Sequence, residues 1–415
     1  MHALHKILAA HSGRQQVAPG DIVNATVDVA GINDIYLMVA HSFHAMGGKQ
    51  VVRPENVAIF MDHNAPSATP QGAENQKMFR EFAARYGIDR VFEINEGICH
   101  QTILEAGMIR PGRVVVLTDS HTTTHGAFGA FGTGVGSTDM AVILMEGALW
   151  FRAPEVLNVR LDGRLKPGVM AKDAALMILG ELGTDFANYK AIEFSGEAVR
   201  HMPVEERMVL CNMAVEMGAK TTYIAPDEAT FAYLRRYTDE PLAVPVTDGD
   251  FVYNREYAFD VSGLEPMVAL PSRVDNVKPV KDAVGIPIQQ VFIGSCTGGK
   301  FTDIEVAARY LDGRKVAKGT RLVVTMASKA ILRQAIERGY YQILLDAGAA
   351  ITVPGCGACF GGHSGLLGAG EKCVTTSNRN FPGRMGSESS ELYLASLVVA
   401  AATAAAGRIS LPEQV

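Results

Sequence analysis

Basic character and aromatic side chains are both scarce in this sequence. Its 38 Lys and Arg residues are outnumbered by 44 Asp and Glu residues, and the cationic residues form no run. A single tryptophan accompanies 12 tyrosines and 17 phenylalanines. Nucleic-acid binding depends on clustered cations, and single-strand binding also depends on aromatic stacking. The composition therefore argues against a nucleic-acid partner.

Long apolar segments are also lacking. The first six residues, MHALHK, contain no apolar core of the kind that a signal peptide needs. The longest apolar stretch, residues 392–407, falls short of the roughly 20 residues that span a membrane, and it predicts a packed helix. Six cysteines in 415 residues exclude a disulfide framework. We therefore expect a cytoplasmic protein without a membrane partner.

Short apolar runs alternate with longer amphipathic stretches along the chain. This alternation is typical of an α/β protein whose sheets are mostly parallel. A stretch with several prolines, residues 266–286, indicates a linker, and a weaker break lies near residues 162–168. The breaks predict three α/β domains, over residues 1–165, 166–270 and 271–415. The predicted strands include 57–61, 114–117, 291–293 and 322–325, and the predicted helices include 74–86, 174–182, 208–217 and 328–338.

Polar residues follow four of the apolar runs at the point where each predicted strand ends. In parallel sheets, ligands bind beyond the carboxyl ends of the strands. We therefore expect these side chains to face one cleft. They are Asp62-His63, Thr118-Asp119-Ser120-His121, the loop 294–299 with Cys296, and the loop 354–359 with Cys356 and Cys359.

The three loop cysteines leave several interpretations open on their own. Cys356 and Cys359 are separated by two residues, and Cys296 lies in another glycine-containing loop. They could belong to a structural zinc site with Cys373 or His363 as fourth ligand, or Cys356 and Cys359 could form a redox pair. They could instead hold an iron–sulfur cluster by three thiolates, which leaves one iron open. Buried cysteines without any metal are the remaining alternative.

An ordered set of motifs covering nearly the whole chain resembles the aconitase superfamily. Within it, the chain is similar to the shorter large subunits of the isopropylmalate dehydratase and homoaconitase families. The motifs are MDH at 61–63, CHQ at 99–101, TDSHT at 118–122, GSTDM at 136–140, NMAVEMGA at 212–219, GSCT at 294–297, CGAC at 356–359 and SNRNFPGR at 377–384.

The resemblance implies a fold, a cofactor and a reaction. The fold is three α/β/α domains with mostly parallel sheets around a central iron–sulfur site. The cofactor is one [4Fe-4S] cluster per chain, which Cys296, Cys356 and Cys359 ligate while one iron has no protein ligand. The reaction is that of a hydro-lyase, which isomerises a 2-hydroxy di- or tricarboxylate by dehydration and rehydration. Isopropylmalate, on the pathway to leucine, is the first candidate substrate, followed by the substrates of homoaconitase and dimethylmalate dehydratase.

The resemblance also implies roles for single residues. His63, held by Asp62, protonates the departing hydroxyl, a task suited to histidine near neutral pH. The catalytic set further contains His100, Asp119, His121 and Glu216. The resemblance assigns substrate binding to five residues, Ser120, Asn212, Asn378, Arg379 and Arg384. The two arginines suit this role because a guanidinium holds a carboxylate through two hydrogen bonds. His125, four residues beyond His121, is predicted to be structural.

The chain departs from the family pattern at three positions and lacks one expected part. Gly298 and Lys300 stand where Asn and Arg are frequent, and Tyr36, expected near the substrate pocket, replaces a small polar residue. Single-chain aconitases carry the catalytic serine on a fourth, swivelling domain, and no segment remains for it here. The resemblance therefore implies a small partner subunit that supplies this serine and the substrate-selectivity loop. An RNA-binding regulator without a cluster and a non-catalytic zinc protein are the alternatives from other classes.

Overall fold

Three larger sheets and one two-stranded sheet organise the computed structural model, which describes residues 1–411. The first sheet has the strand order β4-β3-β2-β5-β6, all parallel, while β1 and β7 pair antiparallel beside it. The strands are β1 Ile22–Thr26, β2 Val29–Asn33, β3 Val57–Phe60, β4 Arg90–Phe92, β5 Val114–Leu117, β6 Phe131–Gly134 and β7 Ala148–Arg152.

The second sheet is smaller and wholly parallel, in the order β10-β9-β8-β11. Its first strand, β8, precedes residue 165, so the sheet begins before the range predicted for the second domain. The three predicted domain ranges stay a prediction. The strands are β8 Val156–Asp162, β9 Ala191–Ser195, β10 Thr221–Tyr223 and β11 Arg255–Asp260.

The third sheet has the order β13-β12-β18-β17-β14-β15-β16 and is parallel from β18 to β16. The prediction of a linker at 266–286 is wrong, because β12 and β13 lie there and pair antiparallel with each other at the sheet edge. Their prolines occupy strand ends and turns, where no ladder hydrogen bond is lost. The strands are β12 Met267–Ala269, β13 Val277–Pro279, β14 Gln290–Ile293, β15 Arg321–Thr325, β16 Ala349–Thr352, β17 Lys372–Thr375 and β18 Glu391–Ala395.

Helices connect the strands, and four of them, α1, α3, α9 and α11, begin at a residue whose side chain caps a backbone amide. In α3, Thr69 accepts a hydrogen bond from the amide of Gly72, and Pro70 occupies the first turn, where no amide donor is needed. The helices are α1 Ala3–Ser12, α2 Met38–Ala45, α3 Pro70–Tyr86, α4 Cys99–Glu105, α5 Ser137–Glu146, α6 Ala171–Leu182, α7 Glu197–His201, α8 Val204–Met213, α9 Glu228–Leu234, α10 Phe301–Leu311, α11 Lys329–Glu337, α12 Tyr340–Ala347 and α13 Leu397–Ala406.

The α/β class and the mostly parallel sheets are confirmed. The apolar stretch 392–407 is only partly the predicted helix, because its first residues complete β18 before α13 begins. Within residues 1–411, no helix has both the length and the apolar composition to cross a membrane. The central strands β2, β3, β5 and β14 are buried along their whole length, so their carboxyl ends are rigid positions for polar loops.

Candidate active site

An aspartate–histidine pair follows β3. Asp62 Oδ1 lies 2.7 Å from Nδ1 of His63, while Nδ2 of Asn33 donates to both oxygens of Asp62 at 3.1 Å. The backbone amide of Cys99 donates to Asp62 Oδ2 at 2.8 Å. Burial lowers the pKa of His63, but Asp62, Asp119 and Asp34 outweigh it and raise this pKa to about 9. The imidazole is therefore protonated at neutral pH.

Asp119, which follows β5, is surrounded by histidines. Its carboxylate accepts from Nε2 of His100 at 3.1 Å and from the amide of His121 at 2.7 Å, and Nε2 of His63 lies 3.7 Å away. Burial raises the pKa of Asp119, but His100 and His121 overcome it and hold this pKa well below its usual value. His125 packs edge-on against His100, with 5.6 Å between the ring centroids. The result is an ionised carboxylate among three histidine rings.

A second carboxylate, Glu216, lies in the 3₁₀ turn Ala214–Met217 beyond α8. Its Oε1 accepts from His121 Nε2 at 2.9 Å and from Arg379 Nε at 2.7 Å. Nη2 of Arg379 also donates to the hydroxyl of Ser120 at 3.1 Å. Burial raises the pKa of Glu216, whereas His121 and Arg379 lower it below the ordinary value. This network joins residues from all three sheets.

Two loops of the third sheet bring the three cysteines to the same cleft. Cys296 follows β14, and Cys356 and Cys359 follow β16. The cysteines are buried and form no disulfide. The amide of Cys356 donates to the carbonyl oxygen of Asp62 at 2.8 Å, so the cysteine loop is attached to the loop that carries His63.

Polar donors approach the cysteine sulfurs. Nδ2 of Asn212 and Nδ2 of Asn378 lie 3.1 and 3.3 Å from Cys296 Sγ, and Nη2 of Arg384 lies 3.9 Å from Cys359 Sγ. A hydrogen bond from Cys356 lowers the pKa of the Cys359 thiol well below its usual value against the effect of burial, and Arg384 adds to this lowering. Such donors favour the thiolate at Cys359, whereas at Cys296 burial outweighs the Asn212 hydrogen bond and raises the pKa to about 12.

The cysteine geometry does not suit a single closed zinc ion. Cys373, one suggested fourth ligand, lies in β17, and its thiol donates to the carbonyl oxygen of Val374 in the same strand. His363, the other, places Nε2 2.6 Å from the carbonyl of His63. Over residues 1–411, two sets of three side chains each place their ligand atoms within 4.8 Å of one another, and neither set includes the three loop cysteines. The sets are Cys99, His100 and Asp119, and Asp34, Asp62 and His63.

The structure brings together all fourteen predicted site residues and adds others. Asn33 and Asp34, which hold the Asp62–His63 turn, were missed although they lie at the carboxyl end of β2, Asn33 as its last residue and Asp34 directly after it. Asp34 accepts from the amide of His63 at 3.1 Å. Tyr36 lies beside these residues, because its backbone amide donates to the carbonyl oxygen of Asn33 at 3.0 Å.

The comparisons with known proteins agree with this geometry. The model of the Aconitase family (aconitate hydratase) matches residues 5–407. The "3-isopropylmalate dehydratase large subunit 1" of Methanopyrus kandleri is 48% identical over 408 residues, which is 98% of this chain and 97% of that protein. The "Probable methanogen homoaconitase large subunit" of Methanothermobacter thermautotrophicus is 43% identical over 419 residues, which is 100% of this chain and 98% of that protein.

A solved structure shares the fold at low sequence identity. The holo-form of aconitase X from Thermococcus kodakaraensis superposes with a TM-score of 0.51 at 14% identity, over 91% of this chain and 90% of that chain. The resemblance noted from the sequence motifs is thus confirmed, and an iron–sulfur cluster follows from it. The chain belongs to the aconitase family.

Proposed function

We propose that this chain is the large subunit of an iron–sulfur hydro-lyase that isomerises a 2-hydroxy dicarboxylate, with 3-isopropylmalate as substrate. The hydrogen bond from the Cys356 amide to the Asp62 carbonyl carries the proposal. It holds an acid–base pair against a set of three buried cysteines. A general acid beside a site for a metal cluster is what the removal of a hydroxyl requires.

The donor set of the cleft fits a cubane iron–sulfur cluster. Cys296, Cys356 and Cys359 would hold three irons as thiolates, and the amides of Asn212 and Asn378 would donate to the sulfur of Cys296. A cluster with three protein ligands has one iron open to substrate, and this iron supplies Lewis-acid polarisation of a hydroxyl and a carboxylate.

His63 is the proposed proton donor to the leaving hydroxyl. Asp62 binds Nδ1, which leaves Nε2 directed to the cleft on the side of Asp119. Because its pKa is about 9, the ring carries a proton to give at neutral pH. His100, Asp119 and His121 form the polar wall that would orient the hydroxyl and the water that replaces it.

Two arginines are the proposed partners of the substrate carboxylates. Nε of Arg384 is buried and has no hydrogen-bond partner within residues 1–411, so it is free to donate to a ligand. Arg379 is oriented by Glu216 and Ser120, and Glu216 in turn binds His121. The side chain of Asn378, next to Arg379 in the chain, contacts the sulfurs of Cys296 and Cys359 at 3.3 and 3.7 Å. A dicarboxylate would therefore be held at both ends while its hydroxyl faces His63.

The residue that removes the substrate's carbon-bound proton is proposed to belong to a small subunit. Relatives of this chain are named large subunits, which supports a two-subunit enzyme. We propose that the partner supplies a serine base and the loop that selects the substrate. Such an enzyme of amino-acid biosynthesis would work in the cytoplasm.

The test is anaerobic purification of this chain alone, of its small subunit alone, and of both after co-expression. We expect the cluster to be present in the large chain, and hydratase activity in the co-expressed pair only. Isopropylmalate and homoaconitate are assayed side by side. Activity of the pure large chain alone would refute the small-subunit role, and activity with neither substrate would refute the proposed reaction.

A further inference from the structure

Lys172 is a buried cation close to the cysteines, and the proposed roles do not use it. It lies in the first turn of α6, and its side chain is almost fully buried. Its Nζ donates to the carbonyl oxygens of Ser377 at 2.5 Å and Thr376 at 3.3 Å, and it lies 3.5 Å from the thioether sulfur of Met213. No carboxylate contacts this ammonium within the described residues.

A buried ammonium needs negative charge nearby. Moving an unpaired ion out of water costs several kcal/mol even after the protein relaxes, and carbonyl dipoles offset only part of that cost. The carboxylate of the neighbouring Asp173 is engaged by the backbone amides of Met170 and Met267. Burial lowers the pKa of Lys172 to about 8, and the largest influences that oppose it are the side chains of Cys296 and Cys359. The Thr376 carbonyl that Lys172 binds also accepts from Thr297, the residue after Cys296, so negative charge on the loop cysteines would lie close to this ammonium.

The carbonyls that Lys172 binds belong to the segment that carries the proposed substrate residues. Ser377 directly precedes Asn378 and Arg379. The Thr376 carbonyl also accepts from the Thr297 hydroxyl at 2.7 Å, next to Cys296. One ammonium thus connects α6, the Asn378–Arg379 segment and the Cys296 loop.

We propose that Lys172 is a positioning residue that balances the negative charge of the three-thiolate cluster and fixes the segment bearing Asn378 and Arg379. The inference rests on the proposed function only in that the cysteines hold an iron–sulfur cluster. It does not depend on which hydroxy acid is turned over. Its tests therefore include measurements other than activity.

The first test is the reduction potential of the cluster in the co-expressed complex, measured by redox titration with electron paramagnetic resonance. Lys172→Met keeps the length of the side chain and removes the charge. Loss of a nearby positive charge favours the oxidised cluster, so we expect a shift to lower potential. Lys220→Met is the matched control, because Lys220 is also largely buried and its charge interacts with Asp139 rather than with a cysteine.

The second test compares thermal unfolding with and without the cluster. In the cluster-free chain Lys172 faces less negative charge than in the loaded chain, where all three loop cysteines would be thiolates. We therefore expect the rise in unfolding temperature on cluster assembly to be smaller in Lys172→Met than in the wild type. If Lys172 had a purely structural role, Lys172→Met would lower the unfolding temperatures of the cluster-free and the loaded chain equally. That outcome would overturn the proposal.

Lys172→Gln separates charge from hydrogen bonding and serves if the methionine variant fails to fold. Its amide can still donate to Ser377, so we expect the full shift in potential with a rise in KM smaller than the roughly tenfold rise expected for Lys172→Met. An unchanged potential in the glutamine variant would overturn the charge role. A wild-type complex that binds a cluster but turns over no hydroxy acid would refute the proposed reaction alone, and one that binds no cluster would refute both proposals.

Discussion

Oε1 of Glu216 accepts hydrogen bonds from both His121 and Arg379, at 2.9 and 2.7 Å. His121 follows a strand of the first sheet, Arg379 follows a strand of the third, and Glu216 itself precedes the second sheet's β10. A single oxygen atom therefore aligns side chains from three parts of the fold. Because the group is buried, its two charged partners are less screened than they would be at the surface.

Replacing Glu216 by Gln should weaken the interactions that orient His121 and Arg379. The amide cannot balance both the His121 ring and the Arg379 guanidinium, so we expect kcat/KM to fall by about 100-fold, or about 2.7 kcal/mol of transition-state stabilisation. Steady-state kinetics of the co-expressed complex measure this, with iron content as a check on the cluster. Glu181→Gln, at the exposed end of α6, is the control. Unchanged kinetics in Glu216→Gln would contradict the role of this carboxylate.

The sequence allowed the core of the site to be predicted because its signals are local. Polar residues directly after an apolar run, such as Asp62 and His63, lie at a strand's carboxyl end whichever way the strands are ordered. The same rule extends to Asn33 and Asp34, which follow a less distinctive run containing Gly31. The three loop cysteines were singled out as cluster ligands by motif resemblance, since spacing alone left zinc, redox and structural interpretations open, and their role as ligands stays a prediction.

Long-range pairings could not be predicted in the same way. Nothing near Lys172 in the sequence indicates that its ammonium meets a carbonyl 205 residues away, because helix periodicity describes faces and not partners. The prediction of a linker at residues 266–286 was wrong for a related reason. Its prolines favour a loop, yet β12 pairs with β18, and edge pairing with a distant strand overrides local preference.

Serine substitution of the loop cysteines should abolish cluster binding. We expect Cys296→Ser, Cys356→Ser and Cys359→Ser each to lose most of their iron and sulfide, because an alkoxide ligand is formed much less readily than a thiolate. Iron and sulfide analysis and the absorbance near 400 nm measure the loss. Cys373→Ser is the control, since this thiol is equally buried but bonds its own strand. Full iron content in any of the three loop variants would contradict its role as a ligand.

The stability of the cluster-free chain should fall at alkaline pH through His63. Its pKa is about 9 in the folded chain and 6.5 ordinarily, so the protonated ring stabilises the fold fully below pH 6.5. This contribution, on the order of 3 kcal/mol, disappears as the pH rises through 9.

Denaturant unfolding of the wild type and of His63→Gln from pH 6 to pH 10 measures this effect. The difference in free energy of unfolding between the two should shrink across the interval. In an Asp62→Asn background the shrinkage should occur at lower pH, because Asp62 is the largest influence that raises the pKa. A difference that stays constant from pH 6 to pH 10 would show that His63 is not perturbed.

Gly357 lets the Cys356–Cys359 turn lie close to β15, because it has no side chain to occupy the space beside Thr325. Its φ is +62°, and a Cβ atom there would lie 2.5 Å from Oγ1 of Thr325. We therefore expect Gly357→Ala to cost roughly 1–3 kcal/mol of stability through backbone strain, and more through the steric overlap. Because the turn carries two cluster ligands, iron content should fall together with the unfolding temperature.

Gly370→Ala provides the matched control for this substitution. Gly370 has a φ of +71°, but no atom lies within 4 Å of the position of its added Cβ. It therefore carries the same kind of backbone strain without the overlap. We expect the control to lower the unfolding temperature slightly and to leave iron content unchanged. Equal losses of iron in the two variants would mean that backbone strain, and not the overlap with Thr325, reduces cluster binding.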